Sequence, residues 1–278
     1  MAPVIALTTD FGIGDAYVGS IKGVILTINP SATITDICHS VEPQNIFQAA
    51  FILSTAQHYF PEGTIHLVIV DPEVGSQRKA VILKTPSAFF LAPDNGVLSY
   101  IIDELNTARV APSQSITTNL ERRELDISLG ATAITNPDFW LQSVSPTFHG
   151  RDIFAPVAAH LSLGVPPHKF GESINCLHTF RIPRPFKDTG GKLIGHILHI
   201  DNFGNLITNI RNSDLPEKEF IMETADHHIH GLSQFYSQSN GLAAIIGSSG
   251  YLEIVLKNGS AAAFLNIKVR DEVRLRGG

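Results

Sequence analysis

Three polar stretches in this 278-residue chain combine residue types that handle protons, anions or hydroxyl groups. Thr9-Asp10-Phe11-Gly12-Ile13-Gly14-Asp15 sets two carboxylates among glycines, so that an acid and free backbone amides can approach a ligand closely, a composition suited to ribose hydroxyls. Asp15 can equally cap a helix starting near Ala16. The glycines at 12, 14 and 19 miss the G-x-G-x-x-G spacing, which argues against a nicotinamide cofactor. Asp71-Pro72-Glu73-Val74-Gly75-Ser76-Gln77-Arg78 holds an acid and a guanidinium that a turn can fold together, either to orient a small anion or polarise water, or as an ordinary surface ion pair. Thr147-Phe148-His149-Gly150-Arg151-Asp152 adds a histidine, the side chain best able to exchange a proton near neutrality. A fourth stretch, Asp226-His227-His228-Ile229-His230, resembles metal bait but has no second ligand cluster to match it; solvated histidines followed by a polar, Gly-flanked loop are expected, and no metal. Asp10-Phe11-Gly12 and His149-Gly150-Arg151-Asp152 stand in the wrong order for protein-kinase signatures and lack a phosphate loop.

The first three stretches need elements to hold them. Short β-branched or apolar runs at 4–8, 33–36, 64–70, 80–84 and 89–92 alternate with helical patterns at 17–29, 46–59 and 96–104, and a short apolar helix is expected at 153–161. That alternation predicts an α/β domain built on a mostly parallel sheet, whose ligands sit at the carboxyl ends of the strands. Asp10, Asp71 and the Pro93-Asp94-Asn95-Gly96 turn all follow such ends. Residues 105–147 show no clean period. Pro166, Pro167, Pro183 and Pro185 mark 166–190 as a linker. Beyond it, runs at 192–200, 206–210, 243–247, 251–255 and 272–275, separated by Gly, Asn and Asp, predict a smaller all-β barrel or sandwich. The expected division is an α/β domain over 1–165, the linker over 166–190, and a β domain over 191–278.

Composition sets outer bounds. A 44% hydrophobic and 17% charged chain supports a real core. A net charge of −6 with scattered Lys and Arg gives no nucleic-acid footprint. Cys38 and Cys176 are too few for a disulfide framework. With neither a signal-peptide pattern in MAPVIALTTDF nor a run of 18 apolar residues, a cytoplasmic protein free of membranes is expected.

Taken together, 8-TTDFGIGDAYVGSIKG-23, 71-DPEVGSQR-78, 93-PDNGVL-98, 147-TFHGRDIFAPVAAHL-161, 200-IDNFGNLITNI-210 and 249-SGYLEIV-255 closely resemble the SAM hydroxide adenosyltransferase family, relatives of fluorinases and chlorinases, in order and over nearly the whole chain. The resemblance implies a homotrimer in which the N-terminal domain of one subunit and the C-terminal domain of its neighbour enclose S-adenosylmethionine, a substrate that is hydrolysed to adenosine and methionine with no cofactor. It implies that Asp10 holds the ribose hydroxyls. Asp201, Phe203, Asn205, Ser248 and Ser249 would surround the methionine and sulfonium end, and the backbone around Asn258 to Ala261, which includes Ser260, would read the adenine edge. The nucleophile-activating trio maps onto Asp71, Arg78 and His149. Where fluorinases carry a tyrosine, a serine and an aromatic wall residue, this chain has Asp71, Gly150 and Gln44, which favours water over halide as the nucleophile. The alternatives are a halogenase forming 5′-halo-5′-deoxyadenosine and a non-catalytic sensor of S-adenosylmethionine or adenosine.

Overall fold

The computed structural model describes residues 4–106, 119–216, 219–224, 227–233 and 241–277; Asp226 and residues 107–118 of the unpatterned stretch lie outside them. The described chain forms two compact units, one reaching Phe180 and the other beginning at Arg181.

The first unit contains strands β1 (Val4–Thr9), β2 (Thr33–Cys38), β3 (Thr64–Ile69), β4 (Ala80–Lys84), β5 (Ala88–Pro93), β6 (Glu121–Glu124), β7 (Gly130–Ala133), β8 (Ser173–Ile174) and β9 (Cys176–Thr179). Its helices are α1 (Tyr17–Ile28), α2 (Ile46–Ala56), α3 (Ser99–Leu105) and α4 (Ala155–Ser162). A seven-stranded sheet runs in the order β2-β1-β3-β5-β4-β7-β8. Strands β2, β1, β3 and β5 are parallel, as the alternation with helices requires. Strand β4 is antiparallel to β5, because Thr85 turns the chain back at once: its N–H donates to the Ala88 carbonyl at 2.9 Å, leaving no length for a crossover. Ile5, Leu7, Ile65, Leu67, Ile69, Ile82 and Leu91 project from one face into a core completed by Ile21 and Ile25 of α1 and by Ala155, Val157, Ala158 and Leu161 of α4. The alternate residues Ala6, Val68, Val81, Leu83 and Phe90 are buried too, so both faces of the sheet are covered.

The expected linker at 166–190 is largely structured. Phe170 is fully buried, Ser173–Ile174 extends the sheet beside β7, and Cys176–Thr179 pairs with β6, so this stretch belongs to the first unit as far as Phe180. The prolines at 166, 167, 183 and 185 all lie outside these paired residues, so they flank the short strands without interrupting them.

The second unit holds β10 (Phe186–Lys187), β11 (Leu193–Ile200), β12 (Leu206–Arg211), β13 (Phe220–Thr224), β14 (His227–His230), β15 (Leu242–Ile246), β16 (Tyr251–Leu256) and β17 (Glu272–Gly277), with the short helix α5 (Ala261–Leu265). All pairings are antiparallel, in the order β14-β13-β17-β11-β12-β16-β15, with β10 beside β11. Just past β14, the Ser233 N–H donates to the Ala244 carbonyl of β15 at 2.8 Å, so the two ends of the sheet approach each other in a nearly closed barrel. Ile197, Leu206, Ile210, Met222, Ile254, Val273 and Leu275 fill it. The adjacent histidines lie on β14, where His228 and His230 face solvent while Ile229 is buried, an ordinary strand alternation. Among the described residues no group of three or more His, Cys, Asp or Glu is placed to hold a metal ion, and no helix is long and apolar enough to cross a membrane.

Candidate active site

Asp71 follows the carboxyl end of β3, where the chain leaves the sheet. Asn95, 2% exposed, anchors this exit by donating its Nδ2–H to the Val70 carbonyl at 2.9 Å. Turns through Val74 and Ser76 then fold the loop back towards Arg78. Arg78 Nε donates to Asp71 Oδ1 at 2.9 Å, and its Nη2 donates to Asp71 Oδ2 and lies 3.2 Å from His149 Nδ1. Each member of the ion pair is only 6% exposed in its side chain, so this is a buried, bidentate contact and not the solvated surface pair that the spacing alone allows. The guanidinium also stacks over Phe154, 5.6 Å from the ring centroid.

His149 precedes a π-helical turn, Gly150–Phe154, that leads into α4. Burial holds its pKa below the ordinary 6.5, and the Arg78 charge lowers it further against the opposing carboxylates of Asp71 and Asp152. A guanidinium only donates, so the Nδ1 facing Arg78 acts as acceptor and the neutral ring carries its proton on Nε2. In this arrangement Asp71 keeps lone pairs after its two bonds to Arg78, so the trio combines an oxygen able to accept a proton with an N–H on His149.

The loop after β1 is braced from the neighbouring strand. The Thr9 hydroxyl pairs with His39 Nδ1 at 2.8 Å, and the Gly12 N–H donates to the His39 carbonyl at 2.7 Å with Gly12 in the left-handed region at φ 66°. Asp10 is half-buried, and its Oδ2 accepts the Gln44 N–H at 2.8 Å. Asp15 is exposed, and α1 begins after Ala16 with no side-chain cap, so Asp15 is not the cap. Phe11 and Tyr17 close on Phe148, with ring centroids 5.8 and 5.1 Å from it, which fixes the Asp10 loop beside the segment carrying His149. Gly150 has little space: a Cβ there would lie 3.2 Å from Ile69 Cδ1.

In the second unit another group assembles. Asp201 Oδ1 accepts the N–H groups of Phe203 and Asn205 at 2.9 Å each, and Oδ2 accepts Asn205 Nδ2–H at 2.8 Å. This tight turn presents the Phe203 ring 76% exposed. Gly204, at φ 83°, leaves no room for a Cβ against the Ser260 hydroxyl, which caps α5 by accepting the Ala263 N–H at 3.1 Å. Asp201, Phe203, Asn205 and Ser260 are therefore neighbours. Ser248 and Ser249 sit on the turn between β15 and β16, closed by the Gly250 N–H to the Gly247 carbonyl at 2.9 Å. A residue given no role from sequence joins the two turns: Glu253 of β16 lies against Gly247 and within the field of Asp201, and burial followed by that charge pushes its carboxyl up to about 7. The signal was an acid within the apolar run Tyr251-Leu252-Glu253-Ile254-Val255.

Comparison with known proteins follows the same two units. Residues 5–171 match the SAM hydroxide adenosyltransferase N-terminal domain, and residues 195–274 match the SAM hydroxide adenosyltransferase C-terminal domain. The chain is 31% identical to the (R)-S-adenosyl-L-methionine hydrolase of Methanocaldococcus jannaschii over 98% of this chain and 95% of that protein. It is 26% identical to the fluorinase of Nocardia brasiliensis over 99% of this chain and 97% of that protein. A crystal structure of an uncharacterized conserved protein from Thermotoga maritima superposes with a TM-score of 0.83 at 34% identity, covering 98% of this chain and 99% of that one.

Proposed function

The chain belongs to the SAM hydroxide adenosyltransferase family, and from that premise we infer that it is an enzyme hydrolysing S-adenosyl-L-methionine to adenosine and L-methionine by attack of water at C5′. The observation that carries the chemistry is the Asp71–Arg78–His149 contact.

The sulfonium departs as a neutral thioether, so no acid is required on the leaving-group side and the protein must supply an oriented nucleophile. Converting bulk water fully to hydroxide near neutrality corresponds to about 12 kcal/mol of differential stabilisation, more than three side chains provide. Proton transfer therefore accompanies attack. Asp71 accepts the proton as the O–C5′ bond forms, while the Arg78 guanidinium holds the carboxylate in one orientation and lowers the energy of the charge developing on the water oxygen. His149, neutral with its proton on Nε2, donates to position that oxygen. Asp10 binds the ribose hydroxyls, and Ser260 lies at the adenine edge. Asp201, Asn205, Ser248 and Ser249 hold the methionine end, and the exposed Phe203 ring packs against the sulfonium as a cation–π partner. The reading requires no cofactor or metal. It also includes assembly as a homotrimer with substrate at the subunit interface, and a cytoplasmic setting. The relatives' name specifies the R configuration, and the substrate proposed here is the same sulfonium epimer.

Hydrolysis in 18O-labelled water tests the reaction. Label in the adenosine 5′ hydroxyl is the expected result; 5′-chloro-5′-deoxyadenosine formed in chloride would instead support a halogenase, and tight binding without turnover would support a sensor. Separate incubation of the two sulfonium epimers tests the configuration, and the solution mass tests the trimer.

A further inference from the structure

Beside the two turns of the second unit, the Glu253 carboxyl is buried with no partner among the described residues. Although the residue is 7% exposed and its backbone is paired in β16, its carboxyl makes no hydrogen bond or ion pair among the described residues. Its neighbour Asp201 is satisfied by three donors from its own turn. Gly247 has no room for a Cβ because the Glu253 carboxyl occupies that place, so the absent side chain keeps the carboxyl lodged beside the Ser248-Ser249 turn. Burying a carboxyl without a donor is unfavourable, and it is most economically explained by a donor that arrives with the ligand.

The hydrolase reading, on which this step rests, supplies two cationic centres at the methionine end. A carboxylate against the sulfonium would stabilise a charge that the reaction abolishes, deepening the ground state more than the transition state. The α-ammonium keeps its charge throughout and brings three N–H donors to match carboxylate lone pairs. We propose that Glu253 is the specificity-determining anchor for the α-ammonium of the methionyl group, selecting substrates that carry a free amino group.

The test compares S-adenosylmethionine with its analogue lacking the α-amino group, on wild type and Glu253→Gln, by steady-state kinetics and by calorimetric binding. The wild type should prefer the amino-bearing substrate by about tenfold or more, expressed mainly in KM. Glu253→Gln should lose most of that preference while binding adenosine, which has no methionyl group, as the wild type does. Equal use of the two substrates by the wild type overturns the proposal whether or not the variant folds. An undiminished preference in a variant that still binds adenosine overturns it as well. Absence of turnover in the wild type would count against the hydrolase reading alone, because calorimetric discrimination would still decide the role of Glu253.

Discussion

A Cβ on Gly75 would meet the backbone carbonyl oxygen of Pro146 at 2.7 Å. Gly75 sits inside the loop that carries Asp71 and Arg78, and Pro146 lies three residues before His149, so the absence of one side chain lets the two halves of the trio close on each other. Gly75 also adopts φ 83°, a conformation that L side chains rarely take.

Gly75→Ala should therefore spread the Asp71 loop from the His149 segment. We expect kcat to fall at least tenfold with a stability loss on the order of 1–3 kcal/mol, read from turnover and thermal melts. Wild-type turnover in the variant would show that this approach does not position the trio.

Asp71→Asn keeps the size of the side chain but removes the proton acceptor and leaves the buried Arg78 charge unpaired. The expected kcat is about 100-fold below wild type, the scale of lost general-base catalysis. Turnover within about twofold of wild type would assign the proton to another group.

The titration of His149 can be followed by NMR of its ring protons. Burial and the Arg78 charge place its pKa below 6.5. The folded protein thus resists taking a proton that the unfolded chain accepts, and the stability contribution of the neutral ring is lost as pH falls below 6.5. Arg78→Gln removes one of the two depressing causes, so the His149 midpoint should rise in that variant; an unchanged midpoint would mean that burial alone sets it.

For Glu253 the sign is reversed. Its folded pKa of about 7 exceeds the ordinary 4.5, so between these values the folded state binds more protons than the unfolded state, and stability falls as pH rises through about 7. The effect is on the order of 2 kcal/mol once solvent screening is allowed for. Glu253→Gln should melt above wild type at pH 8, with the difference shrinking towards pH 5. A gap independent of pH would rule out ionisation of Glu253 as its source.

Several elements were legible because local pattern determines them. The apolar runs that became β1, β3 and β5 and the four-residue spacing of Ile21 and Ile25 on α1 identify strand and helix without any partner. The direction of β4 was not legible, since alternation carries no sense of direction and the short turn at Thr85 decides it. Strands β13 and β14 were missed because their outward faces carry Ile221, Glu223, His228 and His230, a mixture that reads as loop until Met222 and Ile229 are seen to fill the barrel.

The sequence by itself determined the two-unit α/β and all-β architecture, the ordered family motifs, and the residue types available for chemistry at the strand ends. Only the tertiary structure decided that Arg78 meets His149 across 71 positions of chain, that the Asp71 pair is buried, and that the Glu253 carboxyl has no partner among the described residues. The physical reason is that proton affinity and ion-pair strength depend on which charges are adjacent and how much water remains, and both are set by distant segments packing together and not by spacing along the chain.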